Sequence, residues 1–173
     1  MSKIPETLIN FRIYGDGTDM LGTADLTLPK LNAMTDTVKG AGIAGEVEVP
    51  VRGNFKSTEL QAKWRTIDPN AAQLFTQTSH DIDCRGAFQA QDPATGALKV
   101  QAVKLFCRVM PKDFELGKFE VAKMTDTTTS FEVLYLKLTI NGKVVMELDK
   151  LNSVCKIGDT DLMADVREAL GLS

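Results

Sequence analysis

Ser130-Phe-Glu-Val-Leu-Tyr-Leu-Lys-Leu-Thr-Ile140 and Lys143-Val-Val-Met-Glu-Leu-Asp149, with Asn141-Gly142 between them, decide the fold class. A two-residue loop matches the twist of antiparallel strands when both central residues take positive φ, and Asn-Gly tolerates that best. The stretch is therefore a β-hairpin. Downstream, Leu162, Val166 and Leu170 recur every four residues with Met163 beside them. This spacing predicts a helix from about Asp161 to Leu170, capped by Thr160 or Asp159 and ended by Gly171.

Upstream, His80 to Gln91 and Leu98 to Met110 form a second hairpin around the turn Asp92-Pro-Ala-Thr-Gly96. Lys118 to Thr125 reads as a shorter strand, and Asp126-Thr-Thr-Thr129 as a polar loop. From Ser57 to Arg65, Leu60, Ala62 and Trp64 alternate with Glu59, Gln61 and Lys63, the signature of a strand with one buried face. Asp68 before Pro69 predicts a capped short helix, Pro69 to Thr76, with Ala72 and Phe75 or Leu74 inward. Nearer the N-terminus, Leu8 to Tyr14 and Leu21 to Leu28 flank Gly15-Asp-Gly-Thr18 as a hairpin whose second strand stops at Pro29. Thr35 to Asn54, with four glycines and Glu46-Val-Glu-Val-Pro50, reads as a long protruding hairpin-like loop.

Seven or eight strands and two short helices, with no helix alternating between strands, exclude a parallel βαβ architecture. The expectation is a mainly β (α+β) fold, an antiparallel β-barrel or sandwich. At 173 residues and 43% apolar content the chain can fill one core as a single domain, 1–173. Cys84, Cys107 and Cys155 are odd in number and lack a CxxC, which suits reduced thiols. With 20 basic and 23 acidic residues and no long basic block, tight nucleic-acid binding is not expected. No apolar run is long enough to span a bilayer.

Groups that could carry chemistry do not assemble into a site. Gly40-Ala-Gly-Ile-Ala-Gly45 fits GxGxxG, but Val47-Glu-Val-Pro50 follows where a dinucleotide fold needs a helix. His80 lies between residues that alternate, so Asp81 and Asp83 face away from it, and a surface or turn position is expected for its ring. Glu46 with Glu48, and Asp113 with Glu115, each share a strand face, and solvated carboxylates are the default for both. No catalytic, metal or cofactor residue is assigned.

Four blocks carry a resemblance: Thr27-Leu-Pro-Lys-Leu31, the glycine cluster Gly40 to Gly45, Glu147-Leu-Asp-Lys-Leu-Asn152, and Arg167-Glu-Ala-Leu-Gly171. Together they resemble the major tail tube protein family of contractile-tailed bacteriophages, which contractile bacteriocins share. The residues of the match are Thr27, Leu28, Pro29, Lys30, Leu31, Arg167, Ala169, Leu170 and Gly171. This chain departs from the family at Ile157-Gly-Asp-Thr160, where members often carry Asn-Gly-Val-Asp.

The resemblance implies a structural protein, neither enzyme nor cofactor binder. Its copies would form hexameric rings stacked into a hollow tube, with a sheath outside, baseplate and tail terminator proteins at the ends, and tape-measure protein and DNA transiently in the lumen. It further implies a place in the virion tail, assembly in the bacterial host cytoplasm and no membrane. Gly40, Gly42, Gly45, Glu46, Val47, Glu48, Val49 and Pro50 are the expected contacts to neighbouring copies, with the glycines permitting close backbone approach. The competing reading is a small soluble β-barrel that holds a hydrophobic or nucleotide ligand in its interior.

Overall fold

The computed structural model describes residues 3–19 and 22–172, the side chain of residue 24 excepted. In chain order its elements are β1 (Ile4–Gly15), β2 (Thr18–Asp19), β3 (Thr23–Thr27), β4 (Ala33–Lys39), β5 (Glu46–Phe55), β6 (Glu59–Trp64) and helix α1 (Pro69–Gln73). There follow β7 (His80–Gln91), β8 (Leu98–Glu115), β9 (Thr127–Ile140), β10 (Lys143–Asp149), β11 (Val154–Ile157), β12 (Thr160–Asp161) and helix α2 (Ala164–Ala169).

Strand β9 organises the rest. Along one edge it pairs with β8. Along the other its first half takes β6, Trp64 opposite Thr127, while its second half takes β10, Ile140 opposite Lys143. Asn141 and Gly142 have φ of 49° and 80°, the turn that the dipeptide requires. The main path runs β12-β11-β10-β9-β8-β7-β1-β2, and β6 carries β3 away as a side branch, all antiparallel. The barrel expectation is corrected here. Among the described residues no ladder joins β1 to β3, so the ten-stranded sheet curls without closing.

The inward faces supply one core. Leu60, Ala62 and Trp64 of β6 meet Ile13, Ile82, Cys107, Val109, Phe131 and Val133, all at most 2% exposed. Cys84, Cys107 and Cys155 are buried and free. Burial pushes the Cys84 thiol up to about 12, so these sulfurs act as small apolar groups.

Several local expectations change once partners are known. Thr23–Thr27 leaves β1 after the two-pair hairpin with β2 and pairs with β6 instead; Leu21 lies outside the described residues. Helix α1 ends at Gln73, and Asp68 caps it by accepting from Asn70 N at 2.7 Å. Ala71 and Leu74 point inward and Ala72 outward. Residues 118–125 form a turn-rich loop, not a strand, and helix α2 starts after Asp161 because Thr160 and Asp161 pair with β11.

The largest correction concerns Asp126-Thr-Thr-Thr129. Thr127 and Thr129 begin β9 and are fully buried. Their hydroxyls are satisfied inside: Thr127 Oγ1 donates to the Leu116 carbonyl at 2.9 Å, and Thr129 Oγ1 accepts from the Trp64 indole N–H at 2.9 Å. Thr129→Val keeps the shape and strands that indole donor. It is expected to lower unfolding free energy by about 1–3 kcal/mol, the cost of a buried unmet polar group, as measured by urea denaturation.

Candidate functional site

Strands β4 and β5 form a separate two-stranded sheet. Val38 pairs with Val47 and Asp36 with Val49, which places Val38, Val47, Val49 and Val51 on one side, with the Asp36 carboxylate among them. Each valine is exposed, from 39% at Val38 to 49% at Val47. Thr37, Lys39, Glu46 and Glu48 occupy the other side, also exposed. A lone two-stranded hairpin is marginal in water, and a contiguous exposed apolar face marks a contact surface. At the tip Gly40, Gly42 and Gly45 have φ of 137°, 87° and 104°, and a Cβ on any of them would meet nothing within 4 Å. Within the chain these glycines serve the turn, and their surroundings are open.

The root of the hairpin is held firmly. Lys56 N donates to the Asn32 carbonyl at 2.8 Å, closing the two strands together. Gly53 sits at φ 67°, and a Cβ there would stand 2.1 Å from the sulfur of Met163, just before α2. Arg52 reaches Asp165 of α2 at 3.6 Å. Residues just outside the two terminal sequence blocks, Asn32 after the first and Met163 and Asp165 before the last, meet at this root. Leu31 packs against the core beside Asn32, while Leu28 and Lys30 are exposed and Pro29 is half-buried.

Arg167 is a brace, not a surface contact. Its guanidinium donates to Asp161 at 2.5 Å and to the Ser153 carbonyl at 3.0 Å, pinning α2 to the β10–β11 turn. That hydrogen bond, with a second from Met163 N, holds the Asp161 carboxyl below its usual range. Ala169 and Leu170 finish the helix exposed, and Gly171 at φ 72° ends it. The Leu172 amide donates to the Arg167 carbonyl and the Gly171 amide to Glu168, the reciprocal pattern of a glycine-terminated helix.

Sequence reasoning missed a polar latch below the root. Lys150 Nζ donates to the Lys56 carbonyl at 3.0 Å and to Thr58 Oγ1 at 2.9 Å. Glu132 accepts from Ser57 Oγ at 2.6 Å and lies 3.3 Å from Lys112. No local pattern signals these residues, because register alone brings them together.

His80 is also corrected: its ring is buried and ties the β1–β2 turn to the segment after α1. Nδ1 lies 2.6 Å from Asp16 Oδ2 and Nε2 lies 3.0 Å from the Thr76 carbonyl. Both partners only accept, so the doubly protonated ring satisfies both bonds. Burial pulls its pKa down most strongly among single effects, but the bonds to Asp16 and Thr76 with the charges of Asp16 and Asp81 outweigh it. The net result is a pKa above the ordinary 6.5.

Residues 5–171 match the family model described as phage tail tube protein FII. The chain belongs to that family. It is 27% identical to the tail tube protein of Escherichia phage P2, over 98% of this chain and 99% of that one. It is 28% identical to the major tail tube protein of Serratia phage KSP20, over 98% of each. Among solved structures, the extracellular contractile injection system PVC sheath/tube terminator in its extended state superposes with a TM-score of 0.53 at 12% identity. That match covers 78% of this chain and 96% of the other, and it is a likeness of fold. For a tail tube protein, the amphipathic hairpin and its braced root are the leading candidate for contact with further copies.

Gly53→Ala is expected to destabilise the chain by more than about 1 kcal/mol, from the positive φ and the collision with Met163. In a double-mutant cycle read by thermal unfolding, Met163→Ala should recover part of that loss if the collision is the cause. For His80, a folded pKa raised above the unfolded value contributes stability in full below about 6.5, and the contribution fades as pH rises through the folded value. Denaturation midpoints followed across roughly pH 5.5–9 should show the wild type losing its margin over His80→Gln with rising pH.

Proposed function

We propose that the chain forms the wall of the inner tube of a contractile phage tail or related particle, its copies joined in hexameric rings that stack. The observation that carries this reading is the hairpin's apolar valine face, left exposed in a member of a tail tube family. Open edges support it as well. Among the described residues β1 from Ile4 to Ile13 has a strand on one side only, and β3 likewise. Such edges invite pairing with another chain, and a ring of copies turns that hazard into closure. The hairpin would then order against the neighbouring ring, Gly40, Gly42 and Gly45 allowing its tip to lie close to that surface.

The sheet face opposite the core suits a passage. Lys104, Arg108 and Lys137 lie there, interleaved with Asp81, Asp83 and Asp149. Arg108 meets Asp81 at 3.0 Å, and Asp83 is shared by Arg85 at 2.8 Å and Lys104 at 3.6 Å, so part of the positive charge is offset locally. A lumen of that character releases DNA or a tape-measure protein, because net phosphate attraction needs an unpaired basic stripe. Sheath would lie outside, with baseplate and terminator proteins at the ends and assembly in the host cytoplasm, where reduced buried cysteines are at home. The ligand-binding barrel is disfavoured by the interior itself, which Trp64 and Phe131 fill.

Negative-stain electron microscopy across a concentration series tests the proposal: rings or hollow rods are expected. Val47→Glu with Val49→Glu should abolish rods while leaving thermal unfolding of the soluble chain within about 0.5 kcal/mol, as for exposed positions. A wild type that stays monomeric at every concentration would sink the reading.

A further inference from the structure

The loop between β8 and β9, residues 116–126, presents Phe119 at 88% and Val121 at 96% exposure. Two large apolar groups so fully in water are unexpected on a loop that is internally braced. Gly117 takes φ 91°, and a Cβ there would stand 1.9 Å from the Thr125 carbonyl oxygen. Lys118 N donates to that oxygen at 2.9 Å, and Thr125 N donates to the Arg65 carbonyl at 3.0 Å. Glu120 bridges Lys118 at 3.2 Å and Lys123 at 2.8 Å. The apolar tip is therefore presented on a prepared support, with little ordering left to be done on contact.

A receiving feature exists elsewhere on the same chain. Where the β3–β6 branch stops short of covering the main sheet, Leu8, Phe11, Leu26, Leu28, Phe88 and Val103 line an apolar slot of about 120 Å³. Apolar cavities of roughly 150 Å³ take up a benzene ring, so the slot, somewhat smaller but open on one side, can receive a phenyl group in part. The loop stands at the Arg65 end of β6, whereas the slot lies along β3 and the first half of β8. At about 3.3 Å per residue the separation along those strands is on the order of 15–40 Å, and the exposure of Phe119 confirms that its own slot does not hold it.

We infer that Phe119 of one copy seats in the Leu8–Phe11–Leu26–Leu28–Phe88 slot of a second copy, a contact that rests on the tube reading above. The area argues for a copy within a polymer. One aromatic side chain buries about 150–250 Å², far below the roughly 1,200 Å² of a stable pairwise interface, so this contact alone holds no dimer. Unlike surfaces on one chain join head to tail, and repetition among identical copies multiplies a weak contact into a strong one.

Full-length chains carrying Val121→Cys, which keeps Phe119 in place on the same loop tip, are mixed with chains carrying Leu28→Cys and oxidised, with Leu98→Cys, exposed at the far end of β8, as control partner. The mixed disulfide with Leu28→Cys should exceed that with Leu98→Cys about tenfold, and Phe119→Ser should raise the concentration needed for polymer about tenfold or more at unchanged thermal stability. Equal disulfide yields, or polymer formed by Phe119→Ser at the wild-type concentration, would overturn the inference. If the wild type forms no polymer, the tube reading fails and the contact, which holds no dimer alone, fails with it. Equal disulfide yields in chains that do polymerise fail the contact and leave the tube reading standing.

Discussion

Every backbone N–H and C=O that is taken out of water has to find a partner, and in this chain one strand sets how that is done. β9 runs for 14 residues and is too long for either β6 or β10 alone to pair along its whole second edge. It therefore takes both, end to end. From that division the sheet splits into a branch carrying β3 and a limb carrying β11, β12 and α2. Trp64 and Phe131 lie where the branch folds over the main sheet, with Thr129 holding the indole in register. The same division leaves β1 and β3 facing each other across an apolar slot instead of a ladder.

An unclosed sheet is costly for a solitary protein, and the costs here cluster. Exposed apolar groups occupy the valine face of β4–β5, the 116–126 loop, and the projecting end of β1 and β8 at Ile4, Leu8, Leu98 and Val100. Burying one fully exposed side chain stabilises by about 1.5–3 kcal/mol and a half-exposed one by roughly half of that, so a polymer that covers many per subunit gains a drive that offsets the loss of free motion. Rigid supports sharpen that drive. Gly53 against Met163, Arg52 near Asp165 and Arg167 across to Ser153 join the hairpin root to α2 and the C-terminal limb. The C-terminal block that carries the family resemblance acts as a brace: Arg167 faces inward to Asp161, and Gly171 ends the helix.

What the residues alone determined is the set of strands, turns and caps that depend on neighbours close in the chain. Asn141-Gly142 dictated its turn through positive φ, Leu60, Ala62 and Trp64 their buried face by alternation, and Asp68 the start of α1 by its carboxylate. The four terminal and glycine-rich blocks pointed to the tail tube family, which residues 5–171 then matched. Tertiary structure alone decided which strand lies beside which. Thr23–Thr27 abandoned the adjacent strand for β6, Thr127 and Thr129 became core because Leu116 and Trp64 offered their hydroxyls partners, and His80 was drawn inward by Asp16 and Thr76. The physical reason is range: φ preferences and alternation act within a few residues, whereas burial of a polar side chain depends on a partner that only the completed fold brings near.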